Sequence, residues 1–180
     1  MRNNKLFKIV SAALLVAIEI IISRFLGIAT PIVKISFSFI PLSILAVLYG
    51  PVYSCVGAGL ADFIGAILFP IGPYFPGYTL TAALTGLTYG LFLYKRKNGW
   101  LNIILAVLMI NLLWRLGLNS IWISMTTGKA MPAIMATRVV KTFITMPIEV
   151  ILVHFVITMP RLNSAQNRKK TEDGNRREKW

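Results

Sequence analysis

Six long apolar runs dominate the chain. They extend from about Lys8 to Gly27, Ile35 to Tyr49, Val52 to Phe69, Gly77 to Tyr94, Leu101 to Met125 and Pro132 to Met159, with turn-forming residues between them. At about 1.5 Å per residue, a helix of about 20 residues crosses a hydrocarbon core of about 30 Å. Composition points the same way: of 180 residues, 56% are apolar and 14% charged, with a mean hydropathy of +0.70. That is too apolar for an ordinary soluble domain. Six spans use about 120 residues and leave about 60 for loops and tails, so no separate soluble domain fits. The expected fold is an all-α membrane bundle of six transmembrane helices over 1–160, followed by a basic, disordered tail over 161–180. The first run is basic at its start, like a signal peptide. It is nevertheless too long for a typical signal core, carries Glu19 and Arg24, and lacks a convincing A-x-A site, so it is read as helix one.

The net charge of +13 would suggest nucleic acid in a soluble protein, but the cations sit mostly in the gaps between apolar runs and in the tail. With the N-terminus inside, the inner side holds Arg2, Lys5 and Lys8, then Lys95, Arg96 and Lys97, then seven cations of the tail. The outer loops hold Lys34 and Lys129 alone. Thirteen against two places both termini in the cytoplasm.

Seven charged residues remain inside the runs: Glu19, Arg24, Asp62, Arg115, Arg138, Lys141 and Glu149. Each costs about 2.5–3.5 kcal/mol at the middle of a membrane helix and calls for a partner, water or a ligand. Asn111, Arg115, Asn119 and Trp122 fall on one face of helix five, and Arg138, Thr142, Thr145 and Glu149 form a similar stripe on helix six. The topology puts most of these groups in the outer half, beside the third connection, which runs from Pro70 through Tyr74 and Phe75 to Gly77. An outward-open cavity is expected there, and four cations that Asp62 alone cannot neutralise point to an anionic ligand. For any single residue the competing role is an interhelical hydrogen bond or ion pair that only holds the bundle together.

Other chemistries find little support. There is no G-x-x-x-x-G-K-[ST] loop for ATP, no H-E-x-x-H and no Cys/His cluster for a metal. The lone Cys55 and lone His154 lie in apolar stretches and read as structural. The small-residue stripes Gly57, Ala61, Gly65 and Ala82, Gly86, Gly90 read as packing faces, as by itself does the Ala13-xxx-Ala17 pair.

Several stretches carry a family resemblance: Ser23-Arg24-Phe25-Leu26, Val33-Lys34-Ile35-Ser36-Phe37-Ser38-Phe39-Ile40-Pro41, Leu48-Tyr49-Gly50-Pro51, Ala61-Asp62-Phe63-Ile64-Gly65-Ala66, and Phe69-Pro70-Ile71-Gly72-Pro73-Tyr74-Phe75-Pro76-Gly77-Tyr78-Thr79-Leu80-Thr81-Ala82. Over about Leu6 to Met159 the chain resembles the substrate-binding S components of energy-coupling factor (ECF) vitamin transporters, most closely the folate-specific FolT type. The resemblance implies a six-helix bundle in the bacterial cell membrane that binds one vitamin near the outer face, under the first, third and fifth loops. It also implies docking on a transmembrane coupling protein that carries two ATPase subunits, and transport by toppling of the whole bundle. The chain is then a carrying subunit without enzymatic activity or cofactor, and Ala13 and Ala17 match the family's coupling-protein interface.

Folate suits the expected cavity. Arg24, Lys34, Arg138 or Lys141 suit its two glutamate carboxylates, and Asp62 suits the N–H edge of its pterin. Phe75, Tyr78, Trp114 or Trp122 could stack on its rings, with Arg115 and Asn119 on the same polar stripe. Another vitamin such as riboflavin or thiamine would need less cationic charge. A small intramembrane enzyme and a purely structural subunit are the readings from other classes, the latter leaving the outer cations without a ligand.

Overall fold

The computed structural model describes residues 4–26, 28–29, 34–70, 74–94, 100–128 and 130–158. Six helices run through them: α1 (Asn4–Phe25), α2 (Phe39–Tyr49), α3 (Pro51–Leu68), α4 (Pro76–Leu93), α5 (Trp100–Thr127) and α6 (Met131–Thr158). Four of these, α1, α3, α5 and α6, are long and apolar enough to cross a membrane, and α2 is a shorter apolar helix. Pro51 and Pro76 open α3 and α4 in the first turn, where the missing N–H has no helical acceptor to lose. The turn between α2 and α3 is a single residue, Gly50, at φ 88°, a conformation that glycine adopts without steric cost.

Two departures from the expected outline bear on the site. Helix α2 begins at Phe39 rather than Ile35, because Lys34 and Ile35 pair antiparallel with Ala29 and Ile28 in a two-residue hairpin. Ser36 then accepts the Ser38 N–H at 3.3 Å and donates to the Ile22 carbonyl at 3.4 Å. These side-chain bonds compete with helix formation. The second departure is in α5, whose middle segment Ile110–Leu118 is wound as a π-helix between α-helical segments Trp100–Met109 and Asn119–Thr127.

Helices α3 and α4 make the most extensive pairing in the bundle. A Cβ on Gly86 would lie 2.1 Å from the Ser54 carbonyl oxygen, and one on Gly90 would lie 2.2 Å from Pro51 Cα, so these backbones are in direct contact. The α3 glycines serve other neighbours. Gly57 admits Leu45 of α2 and Val16 of α1, and Gly65 admits the Arg24 guanidinium.

The buried apolar core fills one end of the bundle, the end where α1 begins, with Leu45, Tyr89, Leu93, Ile103, Val107, Val153 and Ile157. The outer surface is itself apolar: Leu101 and Phe143 are 75% and 76% exposed, as suits side chains facing acyl chains rather than water. Toward the other end, from the level of Glu19 on α1, the core gives way to a cavity, with Phe39, Leu42 and Ala58 shared between the two.

Candidate ligand-binding site

The cavity, of about 830 Å³, lies in the half of the bundle where α1, α3 and α5 end and α4 and α6 begin. Its wall takes residues from all six helices and from Ser36 to Ser38 after the hairpin. All seven charged residues deep within the apolar runs, Glu19, Arg24, Asp62, Arg115, Arg138, Lys141 and Glu149, line it. Burying that many charges in one place is costly unless they are paired or meet a ligand.

Two ion pairs stand on opposite sides. On the first, Arg24 Nη2 lies 3.7 Å from Asp62 Oδ1 and donates to the Asp62 carbonyl at 3.3 Å. Thr79 at the start of α4 donates to Asp62 Oδ2 at 3.0 Å and is bonded in turn to the Tyr74 hydroxyl at 3.3 Å. The guanidinium lies over Gly65, where a Cβ would come within 2.8 Å of Arg24 Nε. On the second side, Glu149 is almost wholly buried and accepts three hydrogen bonds: Tyr89 Oη at 2.6 Å, Asn111 Nδ2 at 3.0 Å and Arg115 Nη1 at 2.7 Å. This network ties α4, α5 and α6 together at the floor of the cavity.

Glu149 thus neutralises Arg115, which corrects the expectation that Asp62 faces the four cations by itself. The wall carries four cations and three carboxylates. Arg138 donates through Nη1 to the Arg115 carbonyl at 2.6 Å and to Ser120 Oγ at 3.3 Å. Among the described residues, five buried side-chain polar atoms have no hydrogen-bond partner. Four of them, Glu19 Oε2, Arg24 Nε, Asn119 Oδ1 and Arg138 Nε, belong to residues of the cavity wall. Native proteins leave few such atoms, and their concentration around one cavity is what a site adapted to a polar ligand would show.

Of the residues singled out from sequence, Arg24, Asp62, Tyr78, Arg115, Asn119, Arg138 and Lys141 line the cavity. Phe75, Trp114 and Trp122 do not. Trp114 donates its indole N–H to Thr88 at 2.8 Å and packs against the apolar core. Trp122 donates to Thr81 at 3.2 Å and lies 5.4 Å, ring to ring, from Phe75. A regular 3.6-residue helix would keep Trp122 in line with Asn111 and Arg115, but the π-helical segment between them shifts the phase, and Ile123 and Thr126 line the cavity instead. Phe75 and Trp122 crowd around Gly77, where a Cβ would meet both rings, and so brace the third connection from behind. The Lys34 side chain, Lys129 and the tail over 161–180 lie outside the described residues.

Glu19, Asn111 and Glu149 stand out in the sequence as intramembrane polar groups but not as ligand contacts, and nothing there singles out Thr81, Thr85 and Ser36 to Ser38 of the wall or Tyr89 behind Glu149. Tyr89 sits within the Gly86–Gly90 stripe, and a hydroxyl beside close-packed glycines was the available signal. Ala13 and Ala17 are exposed on α1. Arg24 starts from nearly the same meridian, and its long side chain leaves that face for Asp62 through the space Gly65 provides.

Known proteins fit this architecture. Residues 7–157 match the family described as ECF transporter, substrate-specific component. The chain is 39% identical over 142 residues to the folate transporter FolT of Clostridium novyi (strain NT), covering 79% of this chain and 83% of that protein. It is 36% identical over 151 residues to the folate transporter FolT of Leuconostoc mesenteroides subsp. mesenteroides, covering 81% of each. A crystal structure of FolT bound with folic acid superposes with a TM-score of 0.79 at 38% identity, over 82% of this chain and 90% of that one. The fold is also that of the S component for biotin from an ECF-type ABC transporter, with a TM-score of 0.64 at 18% identity and 94% coverage of both chains. These relatives are binding subunits rather than enzymes, and with its charged cavity in a multi-pass apolar bundle the chain belongs to the substrate-specific components of ECF transporters.

Proposed function

We propose that the chain binds folate in this cavity from the extracellular side and carries it across the bacterial cytoplasmic membrane. The observation that carries the reading is the convergence of the seven intramembrane charges on one cavity of about 830 Å³, within the range of sites for small organic ligands. Folate has two carboxylates at one end and a flat, hydrogen-bonding pterin at the other. Arg138 and Lys141 suit the carboxylates, and the aromatic and hydroxyl groups of Phe37, Tyr74 and Tyr78 suit the rings. Two relatives at 39% and 36% identity named as folate transporters, and the resemblance to a structure holding folic acid, support the same vitamin.

Delivery inward relies on partners. With both termini cytoplasmic, the exposed Ala13–Ala17 face of α1 lies toward the cytoplasmic half, where it docks on the ECF coupling protein and its two ATPase subunits. Docking topples the bundle so that the cavity meets the cytoplasm, and ATP hydrolysis by the partners resets it.

Calorimetry on the detergent-purified chain with folate, riboflavin and thiamine tests the ligand. Tight one-to-one binding of folate alone is the expected result, and heat from another vitamin with none from folate overturns it. For delivery, Ala17→Trp is expected to keep folate binding while losing both co-purification of the coupling protein and uptake by cells carrying the full transporter.

A further inference from the structure

We infer that Glu19, rather than Asp62, is the carboxylate that selects the pterin end of the ligand. The inference rests on the assignment of folate to this cavity. Asp62 already accepts from Thr79 at 3.0 Å and faces Arg24 at 3.7 Å. Glu19 lies one helix away, six residues before the end of α1 as Asp62 lies six before the end of α3, and so at about the same depth. It lines the cavity at 8% exposure, and its Oε2 has no hydrogen-bond partner among the described residues.

A carboxyl group in that position is costly in the empty protein, since a buried acceptor without a donor forfeits its hydration. An apolar residue would be cheaper for packing alone. A ligand with two adjacent N–H donors would offset the cost, because a carboxylate accepts such a pair through both oxygens. The 2-amino group and N3–H of a 4-oxopterin form such an edge. The terminal torsion of a glutamate is soft, so a small rotation presents either oxygen to the cavity.

The rest of the wall sets the direction. Helix α1 packs on α2 and α3, whereas α6, which bears Arg138 and Lys141, packs on α2 and α5. The unpartnered Glu19 oxygen therefore stands on a different wall from Arg138 and Lys141, while Arg24, the cation on its own helix, already faces Asp62, and the other unpartnered acceptor of the wall, Asn119 Oδ1, belongs to α5. A molecule with donors at one end and carboxylates at the other lies across it in one orientation, pterin toward α1 and glutamate toward α6.

The test compares folic acid with 2-desaminofolic acid, which lacks the amino donor, on the purified full chain. Wild type is expected to bind folic acid at least about 20-fold more tightly, and Glu19→Gln to reduce that preference to within about threefold by weakening folic acid alone. Asp62→Asn is expected to retain the preference. Equal affinity of wild type for the two ligands overturns the inference without any variant, as does a Glu19→Gln protein that keeps the full preference. Absence of folic acid binding to wild type would instead remove the folate assignment on which the inference stands.

Discussion

Arg115 Nη1 lies 2.7 Å from Glu149 Oε2, and Glu149 accepts from Tyr89 and Asn111 as well, so the carboxylate is held from α4 and α5 at once. Removing one partner leaves a buried charge unmatched. Arg115→Met is expected to cost about 3 kcal/mol, the low end for a broken buried pair because the Arg115 side chain is 36% exposed to the cavity. Removing both charges in Arg115→Met/Glu149→Leu should recover most of that stability, as replacement of a buried pair by apolar residues often does. Thermal unfolding in detergent reads both effects, and a double variant no more stable than the single one would refute the account.

Gly65 gives the Arg24 guanidinium its place beside Asp62. Gly65→Ala puts a methyl group 2.8 Å from Arg24 Nε and pushes the side chain out of register with the carboxylate. Folate affinity is expected to fall about tenfold, with a change in unfolding temperature of only a few degrees. Titration calorimetry beside a thermal melt separates the two.

Close contact of α3 and α4 depends on Gly86 and Gly90. Their hypothetical Cβ atoms meet backbone atoms of Ser54 and Pro51, which cannot swing aside as a flexible side chain can. Gly90→Ala is expected to lose about 1–3 kcal/mol of stability, the usual cost of overpacking, while Gly59→Ala, with Ala83 Cβ at 3.5 Å, is expected to lose less than about 1. Equal melting points for the two variants would show that the helices can separate freely.

Arg138 and Lys141 are the cations of the α6 wall, and Arg138 Nε has no partner among the described residues. Pteroic acid shares the pterin and benzoyl rings of folate but lacks the glutamate. Arg138→Ala is expected to weaken folate about 10- to 100-fold and pteroic acid by less than about threefold. A uniform loss for both ligands would place Arg138 in the framework rather than against the glutamate.

Trp114 gives its indole N–H to Thr88 and packs on the core, away from the cavity. Trp114→Phe is expected to leave folate affinity within about twofold while lowering stability by about 1 kcal/mol for the lost hydrogen bond. A larger change in affinity, measured by titration, would return Trp114 to the ligand.

The six apolar runs were legible in the sequence because bilayer thickness sets a length that any spanning helix must meet, and hydropathy records it directly. So were the seven out-of-place charges, since each stands alone against an apolar background, and helical periodicity was enough to put Arg138, Thr142, Thr145 and Glu149 on one wall. Partnership was not legible. Which carboxylate neutralises which cation depends on contacts between helices far apart in sequence: Arg24 with Asp62 across 38 residues, Arg115 with Glu149 across 34. The position of Trp122 was hidden for a local reason, because the π-helical segment Ile110–Leu118 breaks the 3.6-residue phase on which its placement rested. Sequence by itself determined the solvent of this protein and the inventory of charges it buries. Tertiary structure decided which of those charges satisfy one another and which, like Glu19 Oε2 and Arg138 Nε, are left without a partner among the described residues, because that depends on the distance and angle between side chains that only packing sets.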